Sequence, residues 1–139
     1  MFGYRLDERR VALSGMSLNP RRLLVLDRAF ALAVSVHQLA DRHERSLARV
    51  SPGLRAQLLR AVDSIAFNLA EAAGMASPGR CAQHLSIAIG SCNELELQLR
   101  LASALEALDT AQANLQIAET GEIRAMTYGL KRRVLAKPA

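Results

Sequence analysis

The sequence predicts an all-α protein, an antiparallel up-down-up-down four-helix bundle. Three observations carry that expectation. Half of the residues are hydrophobic, and alanine and leucine dominate them over β-branched and aromatic types, a composition that favours helices over strands. Apolar residues recur at steps of three and four through most of the chain, the period of a half-buried helix. Three polar residues directly followed by proline, at Asn19-Pro20, Ser51-Pro52 and Ser77-Pro78, stand where helices would begin. At 139 residues the chain fits one domain with a core of its own. With no tryptophan and only 4% aromatics, that core is built from aliphatic side chains, and small alanines let helices approach closely.

Met1 to Asn19 mix charges, glycines and serines without sustained period and read as a poorly ordered arm, leaving residues 20–139 for the bundle. The first helix begins at Pro20, with Leu23, Leu26, Phe30, Val34 and His37 as its apolar stripe. Leu24, Ala31 and Leu39 widen it, and the helix runs to about His43. The charged segment Glu44 to Val50 prolongs that helix or forms the first loop. Ser51-Pro52 starts the second helix, whose core face is Leu54, Leu58, Val62, Ile65, Leu69 and Ala72, with Gly74 as its stop. The third helix runs from Pro78 to about Ala107, with Leu85, Ala88, Cys92, Leu95, Leu99 and Ala102 as its seam. Ile87, Leu97, Leu101 and Leu108 extend its apolar surface beyond what one partner helix needs, which suits a subunit interface or two neighbours in the bundle. Gly90, mid-helix, costs about 1 kcal/mol against alanine and points to a close backbone approach. Asp109-Thr110 caps the fourth helix, with Leu115, Ile123, Met126, Leu130 and Val134 as core.

The formal charge is +5 and the pI about 10.0, with arginine supplying most of the positive charge. A basic balance permits nucleic-acid or acidic partners without selecting one. The up-down topology brings the start of the first helix, the turn between the second and third, and the end of the fourth to one end. Arg21, Arg22, Arg80, Lys131, Arg132 and Arg133 meet there, with Arg5, Arg9 and Arg10 of the arm nearby. The opposite end mixes Arg42, Arg45, Arg49 and Arg55 with Asp41, Glu44, Glu106 and Asp109. Phosphate backbone is the expected ligand of the basic end. Lys131 to Arg133 also complement a helix C-terminus, but that does not explain the coincidence of three clusters.

Two polar rows lie on facing helices. Ser64, Asn68 and Glu71 follow i, i+4, i+7, and Ser91, Glu94 and Gln98 follow i, i+3, i+7. Between antiparallel helices such rows suit a hydrogen-bonded network that fixes register, or a contact between copies. A solvated face accounts for the same pattern. Catalytic and metal constellations are missing: there is no Glu-x-x-His pair, P-loop, G-x-S-x-G or paired-cysteine motif. His37, His43 and His84 have no ligand spacing. No enzyme activity, cofactor or metal is expected.

Cys81 and Cys92 sit three turns apart on one helix, about 16 Å by helical rise, too far to bridge. Free thiols suit a reducing compartment. Cys81, beside Arg80 near a helix start, is the position at which a lowered thiol pKa is conceivable, and a packed thiol is the commoner outcome. Asp27 and Arg28 interrupt the longest apolar run, and the N-terminus, MFGYRLDERR, carries acids and lacks the apolar core of a signal peptide. A cytoplasmic protein with no membrane role is expected.

From Gln57 to Ala102 the chain resembles a known family. The carrying residues are Gln57 to Ala61 (QLLRA), Ser64-Ile65, Asn68 to Glu71 (NLAE), Gly74, then Ala88, Gly90-Ser91, Glu94 to Glu96 (ELE) and Gln98-Leu99. They look like the four-helix-bundle family of ribosomal-RNA intervening-sequence proteins, to which accessory variability proteins of diversity-generating retroelements are related. The likeness extends thinly over Leu23 to Val134. It implies a left-twisted antiparallel bundle assembled as a ring of five copies, cytoplasmic and without known catalysis. For the retroelement branch it implies binding to nucleic acid or to a reverse transcriptase, a nucleic-acid-processing protein. Ala72 and Met75 replace the family's glycine and turn arginine, and Cys81 and His84 replace aromatic residues, so one candidate phosphate ligand is missing. The leading expectation is a non-enzymatic oligomeric scaffold, a homopentamer, that binds RNA or DNA through the basic end. The alternative is a protein–protein interaction adaptor with no nucleic-acid role.

Overall fold

The computed structural model describes residues 20–136. Residues 1–19, including the expected arm, lie outside the described residues, as do residues 137–139. The described residues form five helices and no strand: α1 (Pro20–Arg42), α2 (Glu44–Val50), α3 (Leu54–Gly74), α4 (Pro78–Ala104) and α5 (Thr110–Ala136).

The four long helices close around one core, α1 and α4 each packing against both α3 and α5. Contacts across each seam fix the directions. Arg28 meets Glu119 and Ser35 meets Gln116 between α1 and α5. His37 meets Asp63 and Asp41 meets Arg55 between α1 and α3. Asn68 meets His84 and Ser64 meets Ser91 between α3 and α4. Ser103 meets Thr110 and Asn93 meets Arg124 between α4 and α5. In every pair the numbers rise on one helix as they fall on the other, so each seam is antiparallel.

Local chemistry explains most boundaries. Ser77 Oγ accepts the Arg80 amide at 3.4 Å, with Pro78 following it, and Asp109 Oδ2 accepts the Gln112 amide at 3.1 Å. These are side-chain caps that satisfy orphan donors at helix starts. α4 stops at Ala104, three residues short of the expected Ala107. Glu106 there takes a positive φ of 60° and the Ala107 amide reaches back to the Ala102 carbonyl at 2.8 Å, the six-to-one closure that ends many helices. Glutamate occupies a position glycine would hold at lower cost.

Two expected boundaries are corrected. Glu44 to Val50 neither prolongs α1 nor forms a loop: it is a separate two-turn helix. It is anchored by fully buried Leu47 and by Ser46 Oγ, which donates to the Ala107 carbonyl at 2.7 Å. Ser51 does not cap α3. Its backbone is extended, as steric conflict with a following proline demands, and α3 starts at Leu54 behind Gly53.

The core is aliphatic. Leu32, Leu39, Leu58, Ile65, Leu95, Leu99 and Ile123 are among its fully buried side chains. All six core positions expected on α3, and all six on α4, are buried. On α1 the expected stripe is out of phase: Phe30 is 44% exposed, Val34 and His37 are half-buried, and the buried face is Val25, Leu26, Ala29, Leu32, Val36 and Leu39. On α5 Leu115 is exposed and Gln116, Thr120 and Thr127 are buried. The threonines satisfy their hydroxyls on the carbonyls of Gln116 and Ile123, both at 2.7 Å. Leu108 is buried in the connection after α4, whereas Ile87, Leu97 and Leu101 are exposed. Gly90 faces open space, with nothing among the described residues within 4 Å of a Cβ built on it, so no close backbone approach occurs among them.

One further expectation changes. Arg22–Arg42, with a mean hydropathy of 1.4, is long and apolar enough to cross a membrane despite Asp27 and Arg28. Half of that stretch is buried inside the protein, against α3 and α5, and the core helix of a soluble protein has the same composition.

Candidate functional site

Antiparallel packing sets the start of α1, the α3–α4 turn and the end of α5 at one end of the molecule. Leu24 of α1 shares a groove with Gly129, Leu130 and Arg133 of α5, which fixes the first of these juxtapositions. Arg80, Arg132 and Arg133 are exposed there, and Arg22 and Lys131 half-buried. Arg21 falls in the first turn of α1, and its side chain lies outside the described residues. None of Arg22, Arg80, Lys131, Arg132 and Arg133 has an ion-pair partner among the described residues.

The arginines along the sides behave differently. Arg28 donates from Nε and Nη2 to the two carboxylate oxygens of Glu119 at 2.7 and 2.9 Å, a forked geometry that lysine cannot supply. That bond outweighs desolvation and holds the guanidinium's pKa above its ordinary value. Arg124 donates to Glu96 at 2.8 Å and to Asn93 at 3.1 Å. The same hydrogen bond, aided by the charges of Arg124 and Arg100, holds the Glu96 carboxyl below its usual range. Arg42, Arg45 and Arg49 at the opposite end are also without ion pairs among the described residues, but Asp41, Glu44, Glu106 and Asp109 share that end. Among the described residues, the acids toward the basic end are Glu71 in the last turn of α3 and buried Asp27.

The two polar rows meet in part. Asn68 Nδ2 donates to the Ser64 carbonyl at 2.9 Å and to its hydroxyl at 3.1 Å. Ser91, 8% exposed, donates to Ser64 Oγ at 2.8 Å across the α3–α4 seam. Because a carbonyl can only accept, the Asn68 amide orientation is fixed, and its Oδ1 must accept from His84 Nδ1 at 3.0 Å. Glu71 and Glu94 are exposed and stay out of this cluster. Gln98 is half-buried, and its Oε1 is buried with no hydrogen-bond partner among the described residues. Polarity and spacing alone do not include His84 in the cluster. The signal that does is the antiparallel register, which pairs Asn68 with residues near 84 once Ser64 is paired with Ser91.

Both thiols are free and buried, Cys81 at 1% and Cys92 at 0% exposure. Burial pushes the Cys92 thiol up to about 12. A reactive Cys81 would need access that its packing denies. Among the described residues no group of three or more His, Cys, Asp or Glu side chains could hold a metal ion.

A family model described as 23S rRNA-intervening sequence protein matches residues 21–129. The match takes in the whole stretch from Gln57 to Ala102 and stops short of Lys131, Arg132 and Arg133. A crystal structure of a protein of unknown function from the S23 ribosomal protein family of Bacteroides thetaiotaomicron has the same fold. Its TM-score is 0.67 at 22% identity, covering 81% of this chain and 98% of that one. No curated protein sequence matches the chain.

Proposed function

The chain belongs to the 23S rRNA-intervening sequence protein family, and from that premise we propose that it is a non-enzymatic scaffold binding nucleic acid, foremost RNA, through its basic end. One observation carries the reading: five cations from three separate chain segments gather at one end with no ion-pair partner among the described residues. Like charges brought together unpaired are a cost to the fold, and a phosphate backbone is the ligand that converts it into affinity by releasing counterions. In this reading the four long helices act as an antiparallel four-helix bundle. Copies assemble in the cytoplasm as a ring, a homopentamer, which multiplies the basic surface. Exposed Ile87, Leu97 and Leu101 on α4, with open Gly90 and exposed Glu94 between them, support self-assembly, because large apolar side chains gathered along one helix are costly to leave in water.

The test is titration of a structured RNA by fluorescence anisotropy over a range of salt. Arg132→Glu with Arg133→Glu is expected to weaken binding more than tenfold. It also flattens the dependence of log affinity on log salt by roughly 0.9 for each phosphate that is no longer neutralised. Binding unchanged by that reversal overturns the role of the basic end. Sedimentation at micromolar concentration tests the ring, which a monomer overturns. The adaptor alternative predicts association with an acidic protein and little salt-sensitive affinity for RNA.

A further inference from the structure

We infer that the groove between the first turns of α1 and the last turns of α5 seats one unstacked nucleotide of single-stranded RNA, its phosphate held by Arg132 and Arg133 together. The inference rests on the proposed nucleic-acid role and gives it a subsite and a strand preference.

The geometry begins with Gly129. Side chains on a helix lean toward its N-terminus, so those of residues 132 and 133 lie back over residue 129. A Cβ built on Gly129 would stand 3.6 and 3.7 Å from the two terminal nitrogens of Arg133 and 3.9 Å from one of Arg132. Two guanidinium groups therefore converge on a single bare patch of helix backbone, and neither has an ion-pair partner among the described residues. Their mutual repulsion falls when an anion lies between them, and forked donors in this arrangement match phosphate oxygens. The glycine keeps the patch clear. A side chain longer than methyl there would stand where the guanidinium groups meet.

Beside this pair opens a groove of about 390 Å³ lined by Leu24, Ala125, Met126, Gly129, Leu130 and Arg133. Its volume lies within the range of roughly 300–1,000 Å³ typical of small-ligand sites. The floor is apolar and anchored: Arg28 Nη1 reaches Met126 Sδ at 3.3 Å while Glu119 holds the rest of that guanidinium. Leu24 is 43% exposed above it. The lining on α5 spans two turns, too short to seat a partner helix but long enough for one planar base. A base inside a duplex cannot enter. A base splayed from a single strand can lie on the apolar floor with the guanidinium of Arg133 at its edge, the usual way unpaired RNA bases are held. Charge complementarity selects the anionic backbone, and the short apolar floor selects a base over an acidic peptide.

The test compares a labelled single-stranded oligoribonucleotide with a duplex of equal length by anisotropy at fixed salt. It uses the full chain and three variants whose folding is checked by circular dichroism. The parent is expected to bind the single strand at least tenfold more tightly. Ala125→Leu, at an exposed position, fills the floor without touching the arginines and should weaken single-strand binding about tenfold while leaving duplex binding unchanged. Gly129→Leu, which puts a side chain where the two guanidinium groups meet, should weaken both. Arg132→Glu with Arg133→Glu should weaken both. Single-strand affinity that survives Ala125→Leu but disappears on the arginine reversal overturns the groove and leaves the basic-end role standing. Equal affinity for strand and duplex in the parent overturns the groove in the same way. Absence of RNA binding by the parent, with or without binding of an acidic peptide, overturns both.

Discussion

The cross-helix hydroxyl pair of Ser64 and Ser91 lends itself to a double-mutant cycle. Ser64 Oγ accepts twice, from Ser91 Oγ at 2.8 Å and Asn68 Nδ2 at 3.1 Å, so Ser64→Ala removes both bonds at once. A net hydrogen bond is worth about 0.5–1.5 kcal/mol, and alanine recovers roughly 0.5 kcal/mol of helix propensity over serine. The expected loss for Ser64→Ala is therefore about 1–2 kcal/mol. Ser91→Ala removes one bond and recovers the same propensity, so it should cost about 0.5 kcal/mol. In Ser64→Ala the stranded Ser91 hydroxyl can turn to the carbonyl four residues back, as Ser86 does to Ala82 at 2.9 Å, which caps the penalty at the lower end. The double variant loses the same two bonds but recovers propensity twice, so its cost should lie about 0.5 kcal/mol below that of Ser64→Ala, a coupling of about 1 kcal/mol between the two positions. Denaturant unfolding followed by circular dichroism, at one protein concentration so that any assembly contributes equally, resolves this difference. For a chain of this length 1 kcal/mol corresponds to roughly 3–4 °C in Tm. Additivity of the two single changes within about 0.3 kcal/mol, or a Ser64→Ala protein more stable than its parent, would refute the idea that the hydroxyl pair ties α3 to α4.

Two further outcomes follow from Gly90 and Cys92. Among the described residues a methyl at residue 90 meets nothing within 4 Å, so Gly90→Ala should stabilise the monomer by about 0.5–1 kcal/mol. A fall in sedimentation coefficient alongside that gain would locate a neighbouring copy against the α4 face, and a loss of monomer stability would contradict the open environment of Gly90. Cys92 ionises near 12 in the folded chain against an ordinary 9.0, so its neutral thiol costs nothing below about pH 9. Between pH 9 and 12 the unfolded chain alone gives up the proton, and stability must fall as pH rises. Cys92→Ala should remove that part of the alkaline slope in denaturant titrations, and a slope unchanged by the substitution would show that the thiol does not contribute to it.

How much could be read from residues alone depends on which force placed each one. On α3 and α4 the apolar positions form one unambiguous seam, because the competing face carries Asp63, Ser64, Asn68 and Glu71 on α3 and Gln83, Ser86 and Glu94 on α4. Periodicity therefore locates Leu58, Ile65, Leu95 and Leu99 correctly. On α1 almost every position from Leu23 to Val36 is apolar, so the period has no preferred phase. The helix is turned by what its few charges need: Arg28 must reach Glu119 on α5 and His37 must reach Asp63 on α3. That rotation buries Val25, Ala29 and Leu32 and leaves Phe30 outside, an outcome fixed by partners 91 and 26 residues away. α5 defeats the pattern for the opposite reason. Its buried positions include Gln116, whose Nε2 donates to Ser35, and Thr120 and Thr127, whose hydroxyls donate to carbonyls one turn back, so hydrophobicity ranks exposed Leu115 ahead of its true core neighbour. The basic end lies between these cases. Topology alone is enough to bring its cations together, but the feature that gives them a shape, Gly129 beneath Arg132 and Arg133, emerges only when the i+3 and i+4 relation is joined to the direction in which helical side chains lean. On the proposed reading, a glycine one turn before a pair of arginines near a helix C-terminus marks an anion cradle, provided that no acid stands within reach of the pair.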